Sequence, residues 1–342
     1  MSVLWTARDA KLATGGSGPD GWEATGVAID SRQGQAGDLF IALIGPTHDG
    51  HDHVAAALNA GAAAAMVSRV PDGLASDARL MVVGDAQAGL EAVAQAARAR
   101  FQGKVIALTG SVGKTGSKEM LRLVLSAQGK TAATVGNLNN HIGAPLTLAR
   151  LPQDADYAVL ELGMNHPGEI RPLARLAKPH VALITRIAPA HTEFFSSLDE
   201  VAAAKAEIFE GLLPGGTAIV NADDGFAEAL AKAARLAGAS QVLSFGESGD
   251  ADARLLDLAL APCGSDIEVL LKGRWFAYHV GVAGQHWAMN SLGVLVAAAS
   301  AGADPVQAAE TLTDVRAPAG RGATEALALP QGPITLIDES YN

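Results

Sequence analysis

One stretch constrains the fold more than any other: KVIALT, then GSVGKT, then KEMLRLVLSA. A β-branched strand that ends in a glycine-rich turn and re-emerges as a helix is the opening of a parallel βα unit. Glycines in such a turn let backbone N–H groups point at phosphate oxygens, and the helix N-terminus adds its positive dipole end. Thr109, Gly110, Ser111, Val112, Gly113, Lys114, Thr115 and Gly116 therefore form a candidate ATP loop. In it Lys114 would reach the β- and γ-phosphates, and the Thr115 hydroxyl would bind Mg²⁺. The common pattern has a glycine five positions before Gly113, where this chain has Leu108, so the loop is a shorter variant. Gly-Lys-Thr also occurs in plain surface turns. The strand before it and the helix after it favour nucleotide binding.

The chain has 342 residues, enough for about two or three domains. Hydrophobic residues make up 49% and charged ones 18%, which supports a sizeable core. Much of the apolar share is alanine, and no apolar run approaches the roughly 18–20 residues that span a bilayer. The N-terminus, MSVLWTARDAK, lacks the basic start and apolar core of a secretory signal. A net charge of −11 argues against a nucleic-acid footprint, although local backbone dipoles still allow anionic ligands. The single cysteine, Cys263, excludes an internal disulfide and a cysteine metal cluster. Together these features predict a cytoplasmic protein without membrane insertion.

Short β-branched runs alternate with alanine-rich helical stretches, the pattern of parallel α/β architecture. Strands are predicted at 26–29, 38–43, 63–67, 80–83, 104–109, 157–162, 181–185, 217–221 and 334–338, and helices at 53–59, 89–99, 114–127, 198–212, 225–234 and 288–299. Residues 253–280 alternate as a hairpin turning at Lys272 and Gly273. The expected organisation is a small N-terminal α/β substrate domain (1–102), then a P-loop-type ATPase domain with a mainly parallel sheet (103–330). Residues 331–342 open a further unit: 334–338 reads as a buried strand, and the chain stops four residues after it.

In parallel sheets, ligands bind beyond the carboxyl ends of strands. Glu161 ends the apolar strand YAVLE, where a carboxylate is costly without a partner; Mg²⁺ is one candidate, and an edge position facing water is the alternative. His191, in APAHTEFF, follows another strand. Ser197 and Glu200 form a capping box, and in the helix they start Lys205 lies against the stripe Val201, Ala204, Ile208. Lys205 either snorkels to water or serves an active centre, as a cation or after modification. His286 and Asn290 share a helical face and suit a purine edge, or simply pack. Asn221, Asp223 and Asp224 follow a strand, Asp338 closes one, and Arg321 lies in a loop suited to phosphate. The segment VGNLNNHIGAPLTL, with Asn137, Asn139 and Asn140, is dense in amides suited to a polar ligand. In the first unit Ser31 and Arg32, and the loop 45–51 with Gly45, Thr47, Asp49 and His51, suit a diphosphate; a local Asp30–Arg32 pair is the alternative.

TGSVGKT, ELGM, AHTEF, KAEIF, NADD, GQHWAMN and IDESYN stand in an order that resembles the Mur ligases of peptidoglycan synthesis, over almost the whole chain from about Thr25. GNLNNHIGAPLTL resembles the member that joins D-Ala-D-Ala to UDP-MurNAc-tripeptide. The resemblance implies an ATP-dependent amide ligase acting through an acyl phosphate, working as a monomer. It implies that Lys114, His191 and Lys205 are catalytic, that Thr115 and Glu161 hold one Mg²⁺, and that His191 and a carbamylated Lys205 hold a second. His286 and Asn290 would lie near adenine, Arg321 near the γ-phosphate and Asp338 near the ribose. Ser31, Arg32 and the loop 45–51 would hold the UDP-sugar. A tripeptide-forming or folylpolyglutamate-type ligase remains open, as does a unit that binds UDP-sugar and nucleotide without turnover. The resemblance implies two departures: Gly116 replaces the usual Thr or Ser, removing a hydroxyl near the phosphates, and residues 331–342 are expected to be the start of a Rossmann-like C-terminal domain that this sequence does not include.

Overall fold

The computed structural model describes residues 2–189, 193–318, 320, 322–329, 332–338 and 340. The first unit comprises β1 (Trp5–Thr6), α1 (Ala7–Thr14), β2 (Glu23–Ala24), β3 (Gly26–Ala28), β4 (Asp38–Ile41), α2 (Val54–Asn59), β5 (Ala64–Val67), β6 (Leu80–Val82) and α3 (Ala86–Arg100). Strands β3 to β6 pair in sequence order as a parallel four-stranded sheet. All four residues of β4 and of β5 are buried, the near-continuous apolar reading of a parallel sheet covered on both faces.

The second unit begins with β7 (Lys104–Thr109), α4 (Lys114–Ser126), β8 (Thr131–Ala133), α5 (Gly143–Ala149), β9 (Tyr157–Glu161) and α6 (Ile170–Ala177). There follow β10 (Val181–Ile184), α7 (Leu198–Ala206), β11 (Thr217–Asn221), α8 (Ala227–Leu236) and β12 (Gln241–Gly246). It continues through β13 (Ala253–Ala261), β14 (Gly264–Leu271), β15 (Arg274–Val280), α9 (Gln285–Ser300) and α10 (Pro305–Thr311). A hairpin of β16 (Ala323–Leu329) and β17 (Gly332–Asp338) stands as its own two-stranded sheet.

The large sheet has the order β15-β14-β13-β12-β11-β10-β7-β9-β8. It is parallel from β8 to β13 and antiparallel in its last two pairings. From β7 the chain builds outward first on one side, through β8 and β9, and then on the other, through β10. The order therefore reverses at β7, and ligand sites in such sheets sit at that reversal, beyond the carboxyl strand ends. Alternate residues of β7 supply two cores. Ile106 and Leu108 pack with α4 and α9, and Val105 and Ala107 pack with α6 and the 207–211 turn.

The two units are joined by polar contacts as well as apolar ones. Trp5 Nε1 donates to the Ala149 carbonyl (2.9 Å), Arg150 Nε to Val27 O (2.6 Å) and Arg98 Nε to Ala177 O (2.6 Å). Leu146 and Ala149 of α5 enter the core of the first unit.

Two readings change. The 253–280 region is three strands rather than one hairpin, with the expected turn at Lys272 and Gly273 between β14 and β15. The strand at 334–338 departs from the buried strand expected: Ile334 and Leu336 are exposed, and among the described residues it pairs only with β16. No helix among the described residues is long and apolar enough to cross a membrane.

Candidate active site

The loop between β7 and α4 is built by close approaches that only glycine permits. A Cβ on Gly110 would collide with the Thr185 hydroxyl. Gly113 has φ +83° and is packed against Asn290, whose Nδ2 would lie 2.5 Å from an added Cβ. Thr185, just after β10, donates its hydroxyl to Val112 O (2.6 Å), and Ser111 N–H donates to Arg186 O (2.7 Å). The loop is thus tied to the end of the neighbouring strand. Gly113 caps α4 without a side-chain bond, and a helix N-terminus of this kind favours an anion through its dipole. Lys114 folds back on its own loop, donating to Gly110 O (2.7 Å) and Ser111 O (3.3 Å).

Glu161 ends β9, with Leu108 as its register partner on β7. It is 1% exposed. Its Oε1 accepts from Asn139 Nδ2 (2.8 Å) and lies 3.4 Å from Thr115 Oγ1, while buried Oε2 has no hydrogen-bond partner among the described residues. A buried carboxylate oxygen left unmet is costly. Carboxylate and hydroxyl oxygens beside an uncapped helix N-terminus suit a small hard cation that also takes phosphate oxygens, which is how Mg²⁺ is usually held. No cluster of three or more His, Cys, Asp or Glu occurs among the described residues.

Lys205 is 2% exposed on α7. Burial, and then the charge of Lys114, pull its ammonium down to about 7. The Ser197 hydroxyl caps this helix by accepting from Glu200 N–H (3.3 Å), and Glu200 Oε2 accepts from Ser196 N–H (2.8 Å). His286 is exposed on the first turn of α9, and Asn290 lies one turn on, at Gly113. Asp224 Oδ2 accepts from Ile187 N–H (2.6 Å) and Asn221 Nδ2 donates to Thr185 O (3.3 Å), so both shape the loop leaving β10.

The structure thus brings Thr109–Gly116, Glu161, Asn139 and Asn290 to one strand-end cleft, and Lys205 within electrostatic reach of Lys114. Asp338 accepts from Gly320 N–H and Ser340 N–H within its own hairpin. His191 and Arg321 lie outside the described residues. In the amide-rich segment Asn139 turns to Glu161, Asn140 Oδ1 accepts from the N–H groups of Ile142 and Gly143 where α5 begins, and Asn137 is exposed.

In the first unit Arg32 forms the local pair with Asp30 (Nε–Oδ1 3.0 Å), which holds the Asp30 carboxyl down to about 2. Ser31 lines a small cleft beside Asp38 and Phe40. Gly45 and Thr47 are exposed. His51 is buried: its Nε2 accepts from Ser68 N–H (3.0 Å), so the ring proton is on Nδ1 and donates to Asp49 (2.6 Å). Asp49 also holds Arg69. His51 therefore fixes the shape of the 45–51 loop.

Three residues with clear roles escaped the sequence reading. Thr185 locks the loop, Lys118 is fully buried, and Trp287 fills the space beside Gly116. Lys118 had a signal: it falls on the stripe Lys114, Lys118, Leu121, Leu125, facing inward. At Gly116, where the resemblance implies a hydroxyl, packing leaves no room for one. A Cβ there would stand 2.9 Å from Trp287 Cη2, so glycine is what the indole requires.

Comparison with known proteins agrees with this geometry. The Mur ligase middle domain matches residues 108–298, and the Mur ligase family catalytic domain matches residues 23–101. The UDP-N-acetylmuramoyl-tripeptide–D-alanyl-D-alanine ligase of Rickettsia prowazekii is 33% identical over 94% of this chain and 71% of that protein. Its Escherichia coli counterpart is 46% identical over 58% of this chain and 43% of that protein. A crystal structure of MurF from Acinetobacter baumannii superposes with a TM-score of 0.87 at 34% identity, covering 99% of this chain and 73% of that one. The Thermotoga maritima MurF ligase in complex with ADP superposes at 0.73 with 27% identity, covering 93% and 71%. The two matching domains and 33% identity over 94% of the chain make this chain a member of the Mur ligase family.

Proposed function

We propose that this chain carries the ATP-binding and UDP-sugar-binding parts of a cytoplasmic ligase that adds D-Ala-D-Ala to UDP-MurNAc-tripeptide. The observation that carries the reading is Glu161, a buried carboxylate with one oxygen unmet, set at Thr115 under an uncapped phosphate-loop helix. The relatives named above supply the substrate class. The T. maritima relative was solved with ADP.

A carboxylate resists attack by an amine because it has no good leaving group. In the first step an oxygen of the tripeptide's terminal carboxylate bonds to the γ-phosphorus of ATP, the β–γ bridging bond breaks, and ADP leaves. The amine of D-Ala-D-Ala then attacks the acyl carbon, phosphate departs, and the amine gives up a proton. Lys114 and the first N–H groups of α4 hold the phosphates during this transfer. Thr115 and Glu161 would hold one Mg²⁺, and His191 with Lys205 a second, ions that supply charge neutralisation at the γ-phosphoryl group. Lys205 serves this best as a carbamate. Its burial favours the neutral amine, which bonds to CO₂ and loses a proton to become an anion facing Lys114. Asn290 and His286 border the nucleotide from α9, and Ser31, Arg32 and the 45–51 loop would hold the UDP-sugar, with Arg32 turning from Asp30 to the diphosphate.

The test is ADP release by the purified protein with UDP-MurNAc-tripeptide and D-Ala-D-Ala, each also omitted in turn. Release that requires both substrates is expected. Release that requires a different amino acid or peptide would reassign the acceptor, and nucleotide binding without release would limit these residues to binding.

A further inference from the structure

Lys118 lies one turn beyond Lys114 on α4, and it is fully buried. An ammonium has three donors, and all three find acceptors here. They are Glu119 Oε1 (2.7 Å), Thr134 O (3.0 Å) and Gly136 O (3.3 Å). The two carbonyls belong to the irregular segment that follows β8. That same segment holds Glu161 at both of its ends. The Thr134 hydroxyl accepts from the Glu161 backbone N–H (3.1 Å), and Asn139 Nδ2 donates to Glu161 Oε1 (2.8 Å). Asn139 is itself fixed, since its carbonyl accepts from Gly163 N–H (2.8 Å) and a Cβ on Gly163 would approach its Oδ1 at 2.6 Å.

A position in an apolar helix stripe ordinarily takes leucine or methionine, as Leu121 and Leu125 do below it. A lysine there must be supplied with acceptors, and besides the Glu119 carboxylate these are two carbonyls from irregular backbone. We propose that Lys118 is a positioning residue. It fastens the segment 134–139 to the phosphate-loop helix, and so holds Glu161 against Thr115 with one carboxylate oxygen free for a divalent cation. The inference rests on the reading of Thr115 and Glu161 as a Mg²⁺ pair. Partners that orient a metal-binding carboxylate commonly set metal affinity by a factor of about 10–100.

The experiment titrates ADP into the parent chain, Lys118→Met and Lys118→Arg by calorimetry, at a series of Mg²⁺ concentrations and with none. For Lys118→Met the expected result is Mg²⁺-free ADP affinity within about twofold of the parent, and a half-saturating Mg²⁺ concentration raised about tenfold. General loosening of the core would weaken ADP binding with and without Mg²⁺ alike, so the split separates positioning from packing. Parental Mg²⁺ dependence in a folded Lys118→Met overturns the inference and leaves the Thr115–Glu161 reading standing. A parent chain whose ADP binding ignores Mg²⁺ overturns both. If Lys118→Met does not melt cooperatively, Lys118→Arg decides. It keeps charge and bulk, but its planar fork cannot serve three acceptors converging on one nitrogen, so its half-saturating Mg²⁺ should rise about threefold. Parental Mg²⁺ dependence in that variant would make Lys118 a packing residue and overturn the proposal.

Discussion

Gly116 and Trp287 meet face to face: Cη2 and Cζ3 of the indole would each lie 2.9 Å from a Cβ added at Gly116. Trp287 is 5% exposed and belongs to the main core, so the ring cannot simply step aside. Gly116→Ser should therefore destabilise the protein by about 1–3 kcal/mol through overpacking. In the background of Trp287→Leu the same change should cost under about 1 kcal/mol, a coupling of the size contacting residues show. Urea unfolding of both single variants and the double variant measures this cycle. Additive effects would mean that the two residues do not share the space.

How much of this was legible beforehand depended on whether the signal was local. The strands at 104–109 and 217–221 were read with the boundaries they have, because β-branched runs bounded by glycine or polar residues announce themselves. The Ser197 cap and the place of Lys205 against the helix stripe follow from spacing alone, and burial decides between the snorkelling and inward alternatives that spacing leaves open. The Gly116–Trp287 contact joins α4 to α9, and the Lys118 contacts go to carbonyls, which carry no side-chain signature. The amide-rich segment looked like ligand recognition; much of its polarity serves backbone, with Asn140 starting α5 and Asn139 reaching a carboxylate. The alternation in ITLID signalled a strand, but nothing in it told whether a second sheet would cover it.

Glu161 should govern how magnesium acts on nucleotide binding. Saturating ADP stabilises a protein by RT ln(1 + [L]/Kd), about 2.7 kcal/mol at a hundredfold excess over Kd. In the parent chain, ADP with Mg²⁺ should raise the melting temperature more than ADP with a chelator. Glu161→Gln keeps the shape and can still pair with Asn139 but removes the charge, so Mg²⁺ should no longer add to the ADP effect. Differential scanning fluorimetry with and without chelator checks this; an undiminished magnesium increment in the variant would remove Glu161 from the metal site.

His180 supplies a pH dependence of stability. Its Nδ1 accepts from Val105 N–H at 3.0 Å, at the start of the strand that feeds the phosphate loop. Burial, with Lys104 and Arg98 nearby, pulls the ring down from 6.5 to about 4. Between those values the unfolded chain binds more protons than the folded one, so stability rises with pH across the window. It is fully present above about 6.5 and is lost as pH falls towards 4. His180→Asn keeps an acceptor and removes the titration. Its melting temperature should fall less than the parent's between pH 6.5 and pH 4, and parallel losses would assign the effect to other groups.

Lys205 should show a conflict between stability and activity. Its ammonium is buried, Lys114 repels it, and its proton is held so loosely that it titrates at about 7 instead of 10.5. In CO₂-free buffer, where the side chain is unmodified, Lys205→Met fills a similar volume without a charge to desolvate, so the fold should gain on the order of 0.5–2 kcal/mol, as relief of a strained functional residue commonly does. Substrate-dependent ADP release should fall by at least about 10²-fold, because the position then offers neither an amine nor a carbamate to the charge of the transferring phosphoryl group. Urea unfolding and a coupled ADP assay on the same preparations measure the two effects together. The carbamate itself has a separate signature: ¹³C-bicarbonate should give a carbamate carbon resonance in the parent chain that Lys205→Met lacks. A variant that is less stable than the parent, or that releases ADP at the parental rate, would place Lys205 among ordinary packing residues of α7.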